Sequence, residues 1–425
     1  MNEIYLTQED RAITREQMEQ LVDELLAQKP DLKKVLIIPP DYTRCFSFAG
    51  EFTQIIWNKL HESAKIDIIP AVGTHMEMSA EEKEAFFGTE IPDECYLVHH
   101  WQTDTVKLGT VPAEYNAEIS DGLFPEEIEV EVNHNLVDGN YDLIVSVGQV
   151  VPHEVVGMAN YSKNIFVGLG GRSMINKSHM LSAICGMEKA LGVMNSPTRK
   201  LYDYAQQHFL DGKFPLVFIQ TVVKEDENGV PGLRGVYIGE SRKPFELACA
   251  LSQKLNITYV DHPAKKVVTY LDPKELKTTW VGNKGVYRTR MIVADGGELL
   301  LLAPGIQAFG ENAEMDEMTR TLGYTGVKRV LGLYRQGKVF NNKLMSAAHL
   351  IQGSSDGRFT ITYATDPKLM TQAEINGVGY EWADYNEVVK RYDPEKLEEG
   401  WNIMPDGEEI YFVGTPALGL WKIKE

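Results

Sequence analysis

Four polar clusters in this chain could do chemistry, and three of them directly follow apolar, β-branched runs. Residues 35–40 (VLIIPP) lead into Asp41-Tyr42-Thr43-Arg44, residues 66–72 (IDIIPAV) into Gly73-Thr74-His75, and residues 141–150 (YDLIVSVGQV) into Val151-Pro152-His153. An arginine in such a place is a fork for a carboxylate, charged at every relevant pH. Asp41 is placed to orient it. His75 and His153 occupy equivalent positions, and an imidazole can take up and return a proton near neutrality. Gly73 lets backbone approach a ligand closely. The ordinary readings stand beside these: a turn with a surface ion pair for Asp41 and Arg44, and satisfied structural residues for the histidines.

The fourth cluster is spread over residues 163–179. Lys163 sits in the small and apolar segment GMANYSKNIFVGLGG, and a desolvated lysine is a common nucleophile or attachment point, although most lysines are simply surface residues. His179, in Asn176-Lys177-Ser178-His179, has no second ligand at the i+4 spacing of helix-borne zinc sites. If it binds a metal, most of the coordination must come from elsewhere. Cys45, Cys95, Cys185 and Cys249 are scattered without any CxxC spacing and read as ordinary thiols.

Helix-like segments alternate with apolar runs along the chain, the pattern of an α/β protein with largely parallel sheets. The periodicity predicts helices over 14–28 and 52–64 and around 178–191, with strands over 35–40, 66–72, 141–150 and 216–223. Glu227-Asn228-Gly229 then signals a tight hairpin turn. A new set of strands follows HPAK at 262–265, namely 266–271, 291–294, 299–302, 360–365 and 410–413. The expected architecture is two α/β domains with the active site in the cleft between them. Residues 1–262 would carry the cofactor and catalytic residues, 263–410 would close the cleft, and 411–425 would be free to return to the first domain. In open α/β sheets ligands bind beyond the carboxyl ends of the strands, which is where the polar clusters fall.

With 425 residues, 43% of them hydrophobic, the chain has enough apolar material for two sizeable cores. Its formal charge of −19 speaks against nonspecific binding to nucleic acid or to anionic membranes. Positive charge for an anionic substrate must therefore be supplied locally. No apolar run of about 18 residues exists to span a bilayer, and the first residues are acidic and polar. The expectation is a cytoplasmic protein without nucleic-acid or membrane partners.

Taken together and in order, these clusters resemble the nickel-dependent lactate racemase family. That family carries Asp-x-Thr-Arg after its first strand, Gly-x-His after the next, and then His, Lys and His separated by ten and sixteen residues, as His153, Lys163 and His179 are here. Asn195-Ser196-Pro197 and the QTVVKEDENG segment are also similar to family segments. The resemblance spans residues 35–240 well and the remainder weakly. It implies a nickel-pincer nucleotide, a pyridinium mononucleotide whose sulfur donors hold nickel in an S-C-S pincer. Lys163 would tether or contact that cofactor, with Thr43 and Gly73 beside it, and His179 would be the protein's ligand to nickel. His75 and His153 would be the two bases, and Arg44 with Asp41 would hold the substrate. Enzymes that synthesise the cofactor would be partners for loading.

The implied reaction is racemisation or epimerisation of a 2-hydroxy acid. Removing hydride to an electrophilic cofactor while a base takes the hydroxyl proton avoids a carbanion beside an ionised carboxylate. The chain departs from the lactate-type pattern after residue 294, where Asp295-Gly296-Gly297-Glu298 and LLLLAPGIQAFGENAE lack a clear counterpart of the family's carboxylate-holding lysine. A larger 2-hydroxy acid than lactate is therefore expected, on the premise that this segment lines the substrate. The alternatives are an NAD-type α/β oxidoreductase, disfavoured because no strand leads into GxGxxG, and a non-catalytic nickel- or ligand-binding protein, which would need no second base.

Overall fold

The computed structural model describes residues 1–226, 229–337, 340, 343–416 and 419–424, so Glu227 and Asn228 of the expected hairpin turn lie outside the described residues. The chain divides into two compact units, one formed by Met1–Leu181 with Lys189–Asn256 and the other by Ser182–Glu188 with Ile257–Glu425. Both are α/β.

In the first unit, strands β1 (Ile4–Thr7), β2 (Lys34–Ile38), β3 (Lys65–Ile68), β4 (Leu143–Gln149), β5 (Leu216–Glu225) and β6 (Pro231–Gly239) form one sheet in the order β1-β6-β5-β4-β2-β3. The block β5-β4-β2-β3 is parallel, with Ile37 opposite Val145 on one side and Ile68 on the other. Antiparallel β6 and β1 extend it. From β2 the chain first winds outward to β3 and then crosses to β4 on the opposite side. The reversal makes the carboxyl ends of β2 and β4 a topological switch point, where such sheets open a crevice.

Val35, Leu36, Ile37 and Ile38 have no exposed surface, as expected of a parallel strand covered on both faces. The helix Arg15–Ala27 begins at a capping box between Thr14 and Gln17 and buries Met18, Leu21, Val22 and Leu25, spaced for one helical face. Those side chains join Val35, Ile37 and, from the helix Ala49–Leu60, Phe52, Ile55 and Ile56 in one core. β2 and β3 end at Ile38 and Ile68, earlier than the apolar runs suggested. The next residues include Pro39, Pro40 and Pro70, which have no N–H for a ladder. The helix expected around 178–191 starts earlier, as Arg172–Cys185, and a left-handed Gly186 separates it from the short Met187–Ala190.

The second unit holds β7 (Ala264–Tyr270), β8 (Val293–Ala303), β9 (Thr360–Thr365), β10 (Glu381–Asp384), β11 (Gly400–Ile403) and β12 (Glu409–Val413) in the order β10-β9-β8-β7-β12-β11. Only the β11–β12 pairing is antiparallel. One expectation fails here. The separate strands at 291–294 and 299–302 are one strand, β8, with Met291 in the single turn Arg290–Ile292 before it. Within β8, Leu299 to Leu302 are at most 3% exposed. This leucine run is the core of a parallel sheet and not a ligand-facing lining, so the argument for a large substrate loses its premise. The tail pairs with a segment that the sequence placed in the first domain and that clusters here with the second unit. Trp421–Ile423 pairs with Thr258–Val260, and Trp421 is buried. Among the described residues no helix is long and apolar enough to cross a membrane.

Candidate active site

Asp41 follows β2 and caps the short 3-10 segment Tyr42–Ser47, its side chain accepting the Thr43 N–H at 3.1 Å and the Thr43 hydroxyl proton. Its other oxygen accepts from Nδ1 of His75 at 2.5 Å. Burial alone would raise this carboxyl, but the bonds from His75 and Thr43 outweigh it and hold Asp41 below the usual carboxylate range. Asp41 was expected to orient Arg44. Its carboxylate is instead spent on His75, and the Arg44 guanidinium stands exposed with no hydrogen-bond partner among the described residues. Thr43, expected at the cofactor, directs its hydroxyl to Asp41.

His75 lies on the loop after β3, exposed on its outer side. Gly73 makes that loop possible. Its φ is +59°, and an added Cβ would stand 3.2 Å from the Val167 carbonyl oxygen. The close approach that this glycine allows is therefore to the protein's own backbone, with Gly73 N–H bonded to the Gly168 carbonyl at 2.9 Å. The loops that carry His75 and Lys163 are thereby fastened together.

His153 follows β4 in a two-residue ribbon and is buried, its Nδ1 accepting the Val155 N–H at 3.1 Å. Burial pushes its pKa well down, and the positive charges of Lys163 and Arg44 act in the same sense. Lys163 begins the π-turn Asn164–Gly168 and is mostly enclosed. Among the described residues none hydrogen-bonds its ammonium. Burial, assisted by Arg44, pushes its pKa down to about 8 against the opposing charges of Glu154 and Asp41. His179 projects from the helix Arg172–Cys185, and its Nδ1–H donates to the Ile175 carbonyl at 2.7 Å. Its Nε2 keeps the lone pair, which is how a backbone carbonyl prepares a metal-ligating imidazole. Burial lowers its pKa as well and so keeps that lone pair free of a proton.

The structure adds a residue that sequence reading missed. Arg199 has no exposed surface, and its guanidinium donates to Ser162 Oγ at 2.7 Å and to the carbonyls of Met158 and Asn160 at 2.6 and 3.1 Å. It braces the segment just before Lys163, where Asn160 and Tyr161 consecutively hold left-handed φ of 64° and 56°. Such strain in non-glycine residues persists only where the surroundings fix it. Asn195-Ser196-Pro197 is the start of the helix that carries Arg199, with Ser196 as cap and Pro197 in the first turn. A charged residue shortly after a helix-start signal gave no hint of its burial.

The glycine segment 168–171 was the nearest thing to a dinucleotide loop. Its helix N-terminus already holds a carboxylate, since Glu131 accepts the Ser173 N–H at 2.9 Å and would be struck by a Cβ at Gly171. A pyrophosphate would meet that negative charge, which argues against the oxidoreductase alternative. Among the described residues no group of three or more His, Cys, Asp or Glu side chains could hold a metal ion. A metal on His179 must take its other donors from a bound group. The free Nε2 of His179 and the unbonded, readily neutralised amine of Lys163 fit a nucleotide cofactor that carries its own metal donors.

Fold and site together define a protein with a doubly wound domain whose basic and imidazole groups gather at the switch point. Residues 6–192 match the family model of the lactate racemase N-terminal domain. A lactate racemase of Thermoanaerobacterium thermosaccharolyticum is 25% identical over 275 residues, 64% of this chain and 60% of that protein. The match thus spans less than two thirds of that relative's length. Among solved structures, a Thermotoga maritima protein superposes with a TM-score of 0.78 at 25% identity over 98% of this chain and all of the other. The lactate racemase apoprotein of T. thermosaccharolyticum superposes over the full length of both chains with a TM-score of 0.72 at 17% identity, a likeness of fold. Residues 6–192 are thus similar to the N-terminal domain of lactate racemases.

Proposed function

We propose that this protein racemises or epimerises a 2-hydroxy acid with a nickel-pincer nucleotide bound at Lys163 and His179. The observation that carries this reading is His179, whose Nδ1–H is fixed on the Ile175 carbonyl while Nε2 stays available, in the electrostatic neighbourhood of an unbonded Lys163. When bound, the cofactor supplies a reversible acceptor for hydride. Everything else falls to the chain's own side chains. Arg44, unpaired and exposed, binds the substrate carboxylate as a bidentate fork. His75, aligned by Asp41, and His153 serve as the two bases for the hydroxyl proton. Thr43 acts at one remove by holding Asp41. A neutral Lys163 amine is available for attachment to the nucleotide near pH 8. Similarity of the first unit to the lactate racemase N-terminal domain supports the reaction class. It leaves the particular acid open, and with the leucine run placed in a sheet no feature of β8 favours a large one.

The test is to produce the protein together with cofactor-synthesis enzymes, measure nickel and intact mass, and assay a panel of 2-hydroxy acids by chiral chromatography. Bound nickel, a mass increment on Lys163 and turnover of at least one acid are expected. Protein that stays metal-free and unmodified under conditions that load a lactate racemase would refute the assignment.

A further inference from the structure

Glycine is the ordinary residue where the backbone must be left-handed, because a Cβ strains that conformation. This chain instead places Asn160 and Tyr161 there in succession, at φ of 64° and 56°, just before Lys163. Asparagine tolerates such a φ, whereas a bulky tyrosine rarely adopts it. What the two side chains add is anchorage. The Asn160 amide donates to the Gly148 carbonyl and to Gln220 Oε1, both at 2.7 Å, and Gly148 on β4 stands opposite Gln220 on β5 in the sheet register. A Cβ on Gly148 would come within 2.6 Å of Asn160 Oδ1, so β4 carries no side chain where the amide docks. The Tyr161 ring lies 4.5 Å from that of Phe218 and stacks at 5.2 Å on that of Phe245, between centroids. Arg199 lies over the same Phe245 ring at 4.4 Å while it holds the Met158 and Asn160 carbonyls and the Ser162 hydroxyl.

We propose that Asn160 and Gln220 are positioning residues for Lys163: their amide pair pins the left-handed turn to the sheet, and the pinned turn presents the lysine amine to the cofactor. This rests on the reading of Lys163 as the attachment point given above. The turn closes with the Lys163 N–H on the Asn160 carbonyl at 3.3 Å and the Asn164 N–H on the Tyr161 carbonyl at 3.0 Å. Without its anchors an Asn-Tyr pair returns to negative φ. Two such rotations immediately upstream would redirect the Cα–Cβ bond of Lys163 and carry its amine out of the enclosure. A glycine at position 160 would accept the same backbone without strain but would hold it less firmly, since glycine keeps the most conformational freedom and has no amide to dock. The effect on Lys163 passes through the backbone alone. The charges that act on its ammonium are those of Arg44, Glu154, Asp41 and Arg199, and neither Asn160 nor Gln220 carries one. A change in Lys163 reactivity on removal of an uncharged amide therefore reports displacement of the amine and not loss of a charge.

The pH profile of Lys163 in cofactor-free protein is the test. Asn160→Gly removes the docking amide and leaves the backbone allowed, and Gln220→Met removes its acceptor at similar volume. Wild type and both variants are acylated at limiting reagent, Lys163 is compared by peptide mapping with exposed lysines of the same molecule, and thermal melting records stability alongside. Wild-type labelling of Lys163 should level off above about pH 8. In both variants Lys163 should follow the exposed lysines instead, and because the neutral fraction falls about tenfold for each unit by which the midpoint rises, its labelling at pH 8 should drop by about tenfold or more. In protein made with the cofactor-synthesis enzymes, both variants should also carry a smaller covalent increment on Lys163 than wild type. If Asn160→Gly fails to fold, Gln220→Met decides. A wild-type Lys163 profile in the folded variants, whatever their melting temperatures, would mean that the amide pair only stabilises the fold, and the proposal would be wrong. Loaded wild type with no increment on Lys163 would instead overturn the attachment reading, and the cofactor-free profiles would still decide whether the turn positions the amine.

Discussion

His179 in the first unit and His349 in the second are both enclosed histidines on helices, and they differ in what the fold leaves over. His349 is bonded at both nitrogens, Nδ1 to the Tyr287 hydroxyl at 2.8 Å and Nε2 to the Tyr324 hydroxyl at 2.9 Å, and it stacks on Trp280 at 3.9 Å between ring centroids. The proton directions follow from the end of the chain. Thr279 donates to the Phe309 carbonyl, so Tyr324 donates to Thr279, His349 Nε2–H donates to Tyr324, and Tyr287 donates to Nδ1. Burial pushes this ring's pKa down to about 3, and no lone pair or proton remains for a ligand. His179 has one nitrogen fixed by a backbone carbonyl and the other unspent. Burial is thus common to both. The unused nitrogen separates a ring that organises a core from one that can do chemistry.

Removing the two rings in turn separates their roles. His179→Ala should lose essentially all nickel from loaded protein, read by elemental analysis, because among the described residues no cluster of donors can replace it. Unchanged nickel in that variant would end the assignment. Arg199→Met tests the scaffold behind Lys163. It strips donors from two backbone carbonyls and the Ser162 hydroxyl in a buried setting, and chemical denaturation should show a loss of about 3 kcal/mol or more. A neutral outcome would mean that water or a shifted side chain satisfies those groups.

How much of this was legible in the sequence depends on the kind of partner involved. Strands β2 to β5 were visible because a parallel strand covered on both faces must be almost wholly apolar, and their carboxyl ends showed where Asp41, His75 and His153 would gather. The roles of those residues were not visible, because what decides them is backbone or distant. Val155 N–H and the Ile175 carbonyl carry no residue-type signal, and Asp41 reaches a partner 34 positions away. The leucine run of β8 shows the opposite error. Apolar residues after a glycine pair suggested a lining, whereas four consecutive leucines are what an interior parallel strand requires. No residue type announces that Ser182–Glu188 clusters with the second unit although the residues on both sides of it do not.

His349→Phe is the counterpart of His179→Ala and should have a smaller and different effect. It removes the ring that bonds the Tyr287 and Tyr324 hydroxyls in a buried setting, a loss of about 1–3 kcal/mol by denaturation. Nickel content and turnover per folded molecule should match the wild type. Loss of nickel at full stability would show that a ring with both nitrogens bonded can still serve the site, and the distinction drawn above would fail.

The smallest expected effect concerns Lys163, which resembles His179 in having an unspent atom but differs in carrying charge. Its pKa of about 8 is set first by burial and then by Arg44. Because that value lies below the ordinary lysine range, the unfolded chain binds more protons than the folded one between about pH 8 and that range. This group's contribution to stability therefore rises with pH across that window and is constant below it. The same shift fixes reactivity, since only the neutral amine is nucleophilic. In cofactor-free protein, acylation at limiting reagent with peptide mapping should show Lys163 labelling rise several-fold from pH 7 and level off above about 8. Exposed lysines on the same molecule should keep accelerating well beyond that. Arg44→Gln removes one of the causes and should move the Lys163 midpoint upward, but only part of the way, because burial and the charge of Arg199 remain. If Lys163 instead follows the exposed lysines at every pH, its side chain is solvated and the case for an enclosed attachment point falls, whereas His179 and its free nitrogen would be untouched.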